Sequence, residues 1–322
     1  MPDWCGLFHF LAKKLNMNSL HIAPIQGHTD VAYRHFHSDL YGGSNIYYSP
    51  FIRLEREVMR PRDIKDINSD LNANHNIVPQ IIFRDEYELK TLIRQLKEFG
   101  FKKIDLNMGC PFPLQTGHGR GAATILNAPL AEKMVAAVKE NPDIEFSVKM
   151  RLGLNDPKEW EKLLPYLNQI KLTHISLHPR IAKQQYGGEV NLNEFGNFLK
   201  NSSNPVIYNG DIKSPGDMHE IISQFPDIKG LMVGRGILAR PSLFNEFSEG
   251  SEWVKEKRIN KMLEFHRQLF EHYSNILCGE AQIIAKIKPF WEYAEEEIGR
   301  KPWKAIKKAV NISKYQTAVA MI

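Results

Sequence analysis

The chain has 322 residues, 43% hydrophobic and 25% charged, with a formal net charge of +5. That balance belongs to a soluble globular protein with room for one large domain and a smaller one, and it excludes a fibre or an extended disordered chain. No apolar run approaches the ~20 residues of a membrane span, and the three cysteines, Cys5, Cys110 and Cys278, fit no disulfide framework or zinc spacing and suit a reducing cytoplasm.

Residues 1–18 carry a short apolar patch followed by lysines, the reverse of a secretory signal. They read as a leader outside the main fold, with Met17 as an alternative start. Short β-rich runs then recur at 20–24 (LHIAP), 46–51 (IYYSPF), 77–83 (IVPQIIF) and 102–107 (KKIDLN). Four more follow at 145–151 (EFSVKMR), 173–178 (THISLH), 205–209 (PVIYN) and 230–234 (GLMVG). Amphipathic stretches fill several gaps. Residues 85–100 place Leu89, Leu92, Ile93, Leu96 and Phe99 on one helical face, and 129–140 do so with Leu130, Met134, Ala137 and Val138. Residues 53–76 are charged and turn-rich and predict a long irregular loop.

Strands alternating with helices imply a parallel sheet, and eight such units predict a (β/α)8 TIM barrel over 19–243. A doubly wound open sheet is the alternative. Beyond residue 243 the β signal stops, and 244–322 predict a smaller all-helical domain with patterns at 252–274, 281–298 and 302–320. Its end carries Arg300, Lys301, Lys304, Lys307, Lys308 and Lys314, with no Asp or Glu beyond Glu297. A charge run is commonly a solvated face, but interleaved Trp303 and Tyr315 favour contact with a polyanion such as RNA.

Chemistry in a barrel sits at the C-terminal ends of its strands. Polar residues gather at those positions: Gln80, Asn107 then Cys110, Lys149, His178 then Arg180, Asn209–Gly210–Asp211, and Gly234–Arg235. Each alone has a bland reading as a turn residue or a buried structural group; their coincidence at one rim predicts an active site. Two amides and a lysine suit a flat heterocycle that becomes anionic, and a reduced flavin is such a ring. Gly234-x-Gly236-x-x-Ala239 and Gly117-x-Gly119-x-x-Ala122 loosely fit a dinucleotide fingerprint. The former follows the last strand, so a barrel phosphate loop suits it better. His174 and His178 share a strand face but have no third ligand at a convincing spacing, so no metal is expected.

The motifs LNMGCP (106–111), IAPIQGHTDVAYR (22–34), VKMRLG (148–153), HPR (178–180), YNGDIKSP (208–215) and MVGRGILARPSLF (232–244), in that order, resemble the tRNA-dihydrouridine synthases. IIAKIKPFW (283–291) is similar to that family's tRNA-contacting helix. The resemblance implies an FMN-bound barrel that reduces the C5–C6 double bond of selected uridines in tRNA, with NADPH or NADH reducing the flavin. It implies flavin contacts from Pro24, Ile25, Gln80, Asn107, Lys149, His178, Asn209, Gly210, Asp211, Gly234 and Arg235. Catalytic roles fall to Cys110 as proton donor, with Lys149 and Arg180; RNA contacts fall to Arg180, Lys286, Lys288, Lys304, Lys307 and Lys308.

A thiol with an ordinary pKa near 8.5 is protonated at neutral pH and can serve as an acid. The glycine-rich segment after it is expected to be mobile and to swing it over the base. Ile25 stands where the family usually has methionine, Phe112–Pro113 where it has more polar residues, and Pro179 where it has glycine; these leave the target uridine open. So do the alternatives of an rRNA substrate, a flavin barrel acting on a small pyrimidine or other unsaturated molecule, and an RNA-binding protein without catalysis. A cytoplasmic monomer is expected.

Overall fold

The computed structural model describes residues 19–42, 46–73 and 76–322. The leader expected at 1–18 lies outside the described residues. Nine strands form one parallel sheet: β1 (Ser19–Ile22), β2 (Ile46–Tyr48), β5 (Ile77–Val78), β6 (Gln80–Ile81), β7 (Lys103–Met108), β8 (Glu145–Gly153), β9 (Ile175–Ile181), β10 (Val206–Asn209) and β11 (Gly230–Val233). The two remaining strands, β3 (Leu54–Glu55) and β4 (Val58–Met59), pair antiparallel as a hairpin.

The order β5-β2-β1-β11-β10-β9-β8-β7-β6 has ends that are separated in the chain by Pro79 alone. The expected third strand is therefore two. Proline has no N–H to give the ladder, so the run breaks there. Ile52 spans the seam: its N–H donates to the Gln80 carbonyl at 2.8 Å, and its carbonyl accepts from Ile82 N–H at 3.0 Å. The result is a nearly closed parallel barrel with helices between strands, followed by a helical region, as the alternation predicts.

Apolar side chains between strands and outer helices form the main core, including Leu92, Leu96, Leu106, Met134, Val148, Phe198 and Leu231. Inside the barrel the apolar filling is thin: Ala23, Tyr48, Val78, Ile207 and Met232. The rest of the interior is polar, which matters for the site.

The described part of 53–76 is not the irregular loop expected. It holds the hairpin, a helix at Pro61–Ile67 and a short 3-10 turn at Asp70–Asn72. Buried Leu54, Met59 and Ile67 anchor it to the main core, and ion pairs, one of them between residues distant in the chain, tie it further. Arg34, 1% exposed, pairs with Asp66 at 2.9 Å and donates to the Asn72 side chain at 3.2 Å. Arg60 grips Asp63 through two bonds of 2.6 and 2.9 Å.

The helical region packs around Met262, Phe265, Leu269, Trp291 and Tyr315. That cluster also includes Ala32, Tyr33 and Tyr41 of the barrel helix Val31–Tyr41, so this barrel helix packs into the core of the helical region. Among the described residues no helix is long and apolar enough to cross a membrane.

Replacing Arg34 by Met leaves Asp66 without its counter-charge in a largely buried place, so Arg34→Met is expected to cost ~3 kcal/mol. Urea unfolding of both proteins measures it; a change below ~1 kcal/mol would assign the ordering of 53–76 to other contacts.

Candidate active site

A cavity of about 1330 Å³ opens at the C-terminal mouth of the barrel. Pro24, Ile25, Gln80, Asn107, Cys110, Lys149, His178, Arg180, Asn209, Gly210, Asp211, Gly234 and Arg235 all line it. Strand geometry brings them together, because the C-terminal ends of parallel strands converge on one rim. Pockets for one small molecule are typically ~300–1,000 Å³, so this cavity has room for two flat rings.

Gln80, Asn107 and Lys149 face inward from three neighbouring strands, with Asn107 opposite Lys149 in the β7–β8 register. Burial is the first cause that brings the Lys149 amine down to about 8; the Arg151 charge adds to it and the Asp105 carboxylate opposes it. The side chain of Asn107 donates to Gln80 Oε1 at 2.8 Å, and its Oδ1 accepts from the N–H groups of Gly109 and Cys110 at 3.1 and 2.9 Å.

These two bonds shape the turn that carries Cys110. Its carbonyl accepts from Ala122 N–H at 3.1 Å. A Cβ on Gly121, at φ +60, would lie 2.6 Å from that same oxygen, so only glycine permits the approach. The following residues form a short helix at Pro113–Thr116 and a 3-10 segment at Gly121–Leu126, pinned by a buried Arg120–Glu88 ion pair. The segment expected to swing is folded in this structure, and Cys110 sits on a hydrogen-bonded turn. Burial pushes its thiol pKa up, which keeps the proton on sulfur.

Arg180, expected at the base and the RNA, lines the cavity and is held by protein acceptors. It is 2% exposed, and all five guanidinium N–H groups have acceptors. Nε donates to the Gly187 carbonyl at 3.2 Å, and the remaining four reach His178 Nε2, both Asp211 oxygens and the Gly188 carbonyl. In this structure the guanidinium thus ties its neighbours together. Because His178 Nε2 accepts from a guanidinium, the imidazole is neutral with its proton on Nδ1. Burial, followed by the Arg151 charge, holds its pKa well below the usual value.

Asp211, at φ +44, is tied to both Arg180 and Arg235, the latter at 3.1 Å. The Arg235 guanidinium also lies 4.5 Å from the centre of the Tyr186 ring. Gly236 is needed for packing: a Cβ there would stand 1.9 Å from the Ile212 carbonyl.

Sequence reasoning missed two features of the mouth. Tyr186, 41% exposed, lines it beside Arg151 and Arg235, and the glycine pair after it was the available signal. Glu292, Glu295, Glu296 and Glu297 line the side formed by the helical region, and their acidic run was legible.

The basic tail divides. Lys288 Nζ donates to the carbonyls of Lys307 and Ala309 at 2.6 and 3.1 Å, capping the helix Arg300–Lys308. Lys286 pairs with Asp30 at 2.5 Å. Lys304, Lys307 and Lys308 are exposed, on the side of that helix away from buried Pro302 and Ile306, and Lys307 Nζ sits 4.1 Å from the Trp303 ring centre. Among the described residues no group of three or more His, Cys, Asp or Glu could hold a metal ion.

A "Probable tRNA-dihydrouridine synthase" of Staphylococcus epidermidis is 28% identical over 84% of this chain and 82% of its own. The "Probable tRNA-dihydrouridine synthase 2" of Bacillus subtilis is 27% identical over 79% and 78%. Among solved structures, histamine dehydrogenase from Rhizobium sp. 4-9 matches with a TM-score of 0.53 at 16% identity, over 72% of this chain and 46% of that one. Morphinone reductase matches with a TM-score of 0.53 at 13% identity, over 73% and 86%. At those identities the structures share the barrel and no more is taken from them. The model of the family described as "Dihydrouridine synthase (Dus)" matches residues 21–317, nearly the whole chain, and the chain belongs to that family.

Proposed function

We propose that this protein is a flavin-dependent oxidoreductase that reduces the C5–C6 double bond of specific uridines in tRNA. The observation that carries this reading is the convergence of a protonated thiol, a buried amine and two amides on one cavity large enough for a cofactor ring and a base together. The donor set suits FMN: amides at Gln80 and Asn107, a cation at Lys149, a neutral imidazole at His178, and Arg235 at the strand ends where barrels hold phosphate. We read residues 19–243 as the catalytic barrel and 244–322 as the tRNA-binding domain.

Bound FMN, reduced by NADPH or NADH, would supply the hydride that reaches C6 of the uracil. The chain's own residues do the rest. Lys149 Nζ sets a positive charge beside the ring whose negative charge grows. His178, held neutral by Arg180, offers Nδ1–H as a donor rather than a second cation. Cys110 Sγ–H is the acid for C5, and burial keeps it protonated well above neutral pH. Extruding the base from its stack costs a few kcal/mol, offset by contacts between RNA phosphates and the exposed face carrying Lys304, Lys307 and Lys308. That face favours RNA over a small pyrimidine, which has no use for it.

Cys110→Ala is expected to keep flavin and tRNA binding while lowering dihydrouridine formation in unmodified tRNA by ~10²-fold or more. A fully active variant would mean that water supplies the proton.

Lys149 is cationic below about pH 8 and neutral above it. Flavin reduction by NADPH should therefore slow as pH rises through that range, and the limb should vanish in Lys149→Met. Stopped-flow absorbance follows it; persistence of the limb in the variant assigns the titration elsewhere.

Replacing Lys304, Lys307 and Lys308 together with Glu should raise the apparent KM for tRNA by ~10-fold or more. NADPH-driven flavin reduction without RNA should stay at its original rate. An unchanged KM returns this face to solvent.

A further inference from the structure

A polar chain runs through the barrel interior below the cavity and ends at a carboxylate that the chemistry above does not use. Asp105 is fully buried on β7. Its Oδ2 accepts from Gln80 Nε2 at 2.7 Å and its Oδ1 from Ser147 Oγ at 2.5 Å. Gln80 Oε1 accepts from Asn107 Nδ2 at 2.8 Å, and Asn107 Oδ1 accepts from Gly109 N–H and Cys110 N–H.

The direction of this chain is fixed from both ends. Backbone N–H groups can only donate, so Asn107 must turn its oxygen toward Cys110 and its amide nitrogen toward Gln80. Gln80 must then present its oxygen to Asn107 and its nitrogen to Asp105. An ionised carboxylate can only accept, which agrees with that order. A neutral apolar residue at 105 would orphan the Gln80 nitrogen in a buried place, at a cost of ~1–3 kcal/mol. Turning the Gln80 amide over to relieve this would set two NH₂ groups against each other at Asn107. Asn107 would then turn its oxygen away from the Cys110 turn.

We propose that Asp105 is a positioning residue for proton delivery: through Gln80 and Asn107 it fixes the turn on which Cys110 is carried. The proposal rests on the reading of Cys110 as the acid. Asp105 touches neither cofactor nor base in this scheme; it acts through two amides. Its carboxyl is itself pushed up to about 6 by burial, opposed by its bonds from Ser147 and Gln80 and by the Lys149 charge. It is therefore mostly ionised at neutral pH, as an acceptor-only end requires.

The test separates hydrogen-bond acceptance from charge. Asparagine at 105 can accept from Gln80 with its oxygen while donating its NH₂ to Ser147 Oγ, so Asp105→Asn should keep the order of the chain. Leucine at 105 accepts nothing and leaves Gln80 Nε2 without a partner, so Asp105→Leu should release that order. The full-length protein is compared as wild type, Asp105→Asn and Asp105→Leu. The readouts are single-turnover dihydrouridine formation in tRNA, KM for tRNA, and the rate of iodoacetamide alkylation at Cys110, followed by peptide mass spectrometry so that Cys5 and Cys278 do not interfere.

We expect Asp105→Asn to stay within ~3-fold of wild type in turnover and alkylation. Asp105→Leu should lose ~10-fold or more in turnover, with KM for tRNA within ~2-fold and alkylation of Cys110 changed several-fold. An Asp105→Leu variant that behaves as wild type overturns the proposal. So does Asp105→Asn as impaired as Asp105→Leu, because charge rather than bond direction would then be what matters. If wild type itself forms no dihydrouridine, the functional reading fails; the alkylation comparison still tests whether Asp105 positions Cys110.

Discussion

Taking the Lys149 amine out of water favours its neutral form, and its pKa falls to about 8. It keeps its charge at neutral pH because the barrel interior around it is polar rather than oily. In most parallel barrels branched aliphatic residues fill the centre. Here Gln80, Asp105, Asn107, Ser147 and His178 occupy inward positions, and the apolar remainder is five residues. Stability comes from the outer layer, where strands meet helices, and this frees the interior to hold charge. The same partition explains why so many buried polar groups have hydrogen-bond partners along the β7–β8–β9 side of the barrel.

Arginine in this site works as a clamp. Arg180 joins His178, Asp211 and the Gly187–Gly188 turn, which places strand ends β9 and β10 and the loop carrying Tyr186 in one geometry. Arg151 does likewise between the Gly109 and Ile181 carbonyls, at 3.1 Å each. Buried arginines are costly to desolvate and gain little net stability even when hydrogen-bonded. Their return is precise placement of groups around the cavity, the quantity that matters when a thiol and a ring must meet opposite faces of one base.

The barrel was legible because each strand run is short, β-rich and followed by a polar residue at its end, a pattern that survives without any knowledge of packing. The clustering of polar groups at one rim followed from that architecture alone. Three things were hidden. The break at Pro79 is written in the sequence but looks like an edge effect until the sheet closes around it. The order within 53–76 depends partly on Arg34 meeting Asp66 and Arg60 meeting Asp63, and ion pairs leave no periodicity to read. Lys288 and Arg180 look like free cations in a sequence; only their acceptors, supplied by distant carbonyls and by Asp211, show that they are occupied.

Asp30 gathers the barrel and the helical region onto one carboxylate. It caps the helix Val31–Tyr41 by accepting from Tyr33 N–H at 3.0 Å, takes a bond from the Tyr273 hydroxyl, and pairs with Lys286. Ile25, at the cavity edge, is five residues before it. The exposed lysines and the cavity therefore stand at a set span, like the two jaws of a locked caliper. A shift in the packing of the helix Val31–Tyr41 would therefore change the distance between that lysine face and the cavity, because both hang from the same carboxylate.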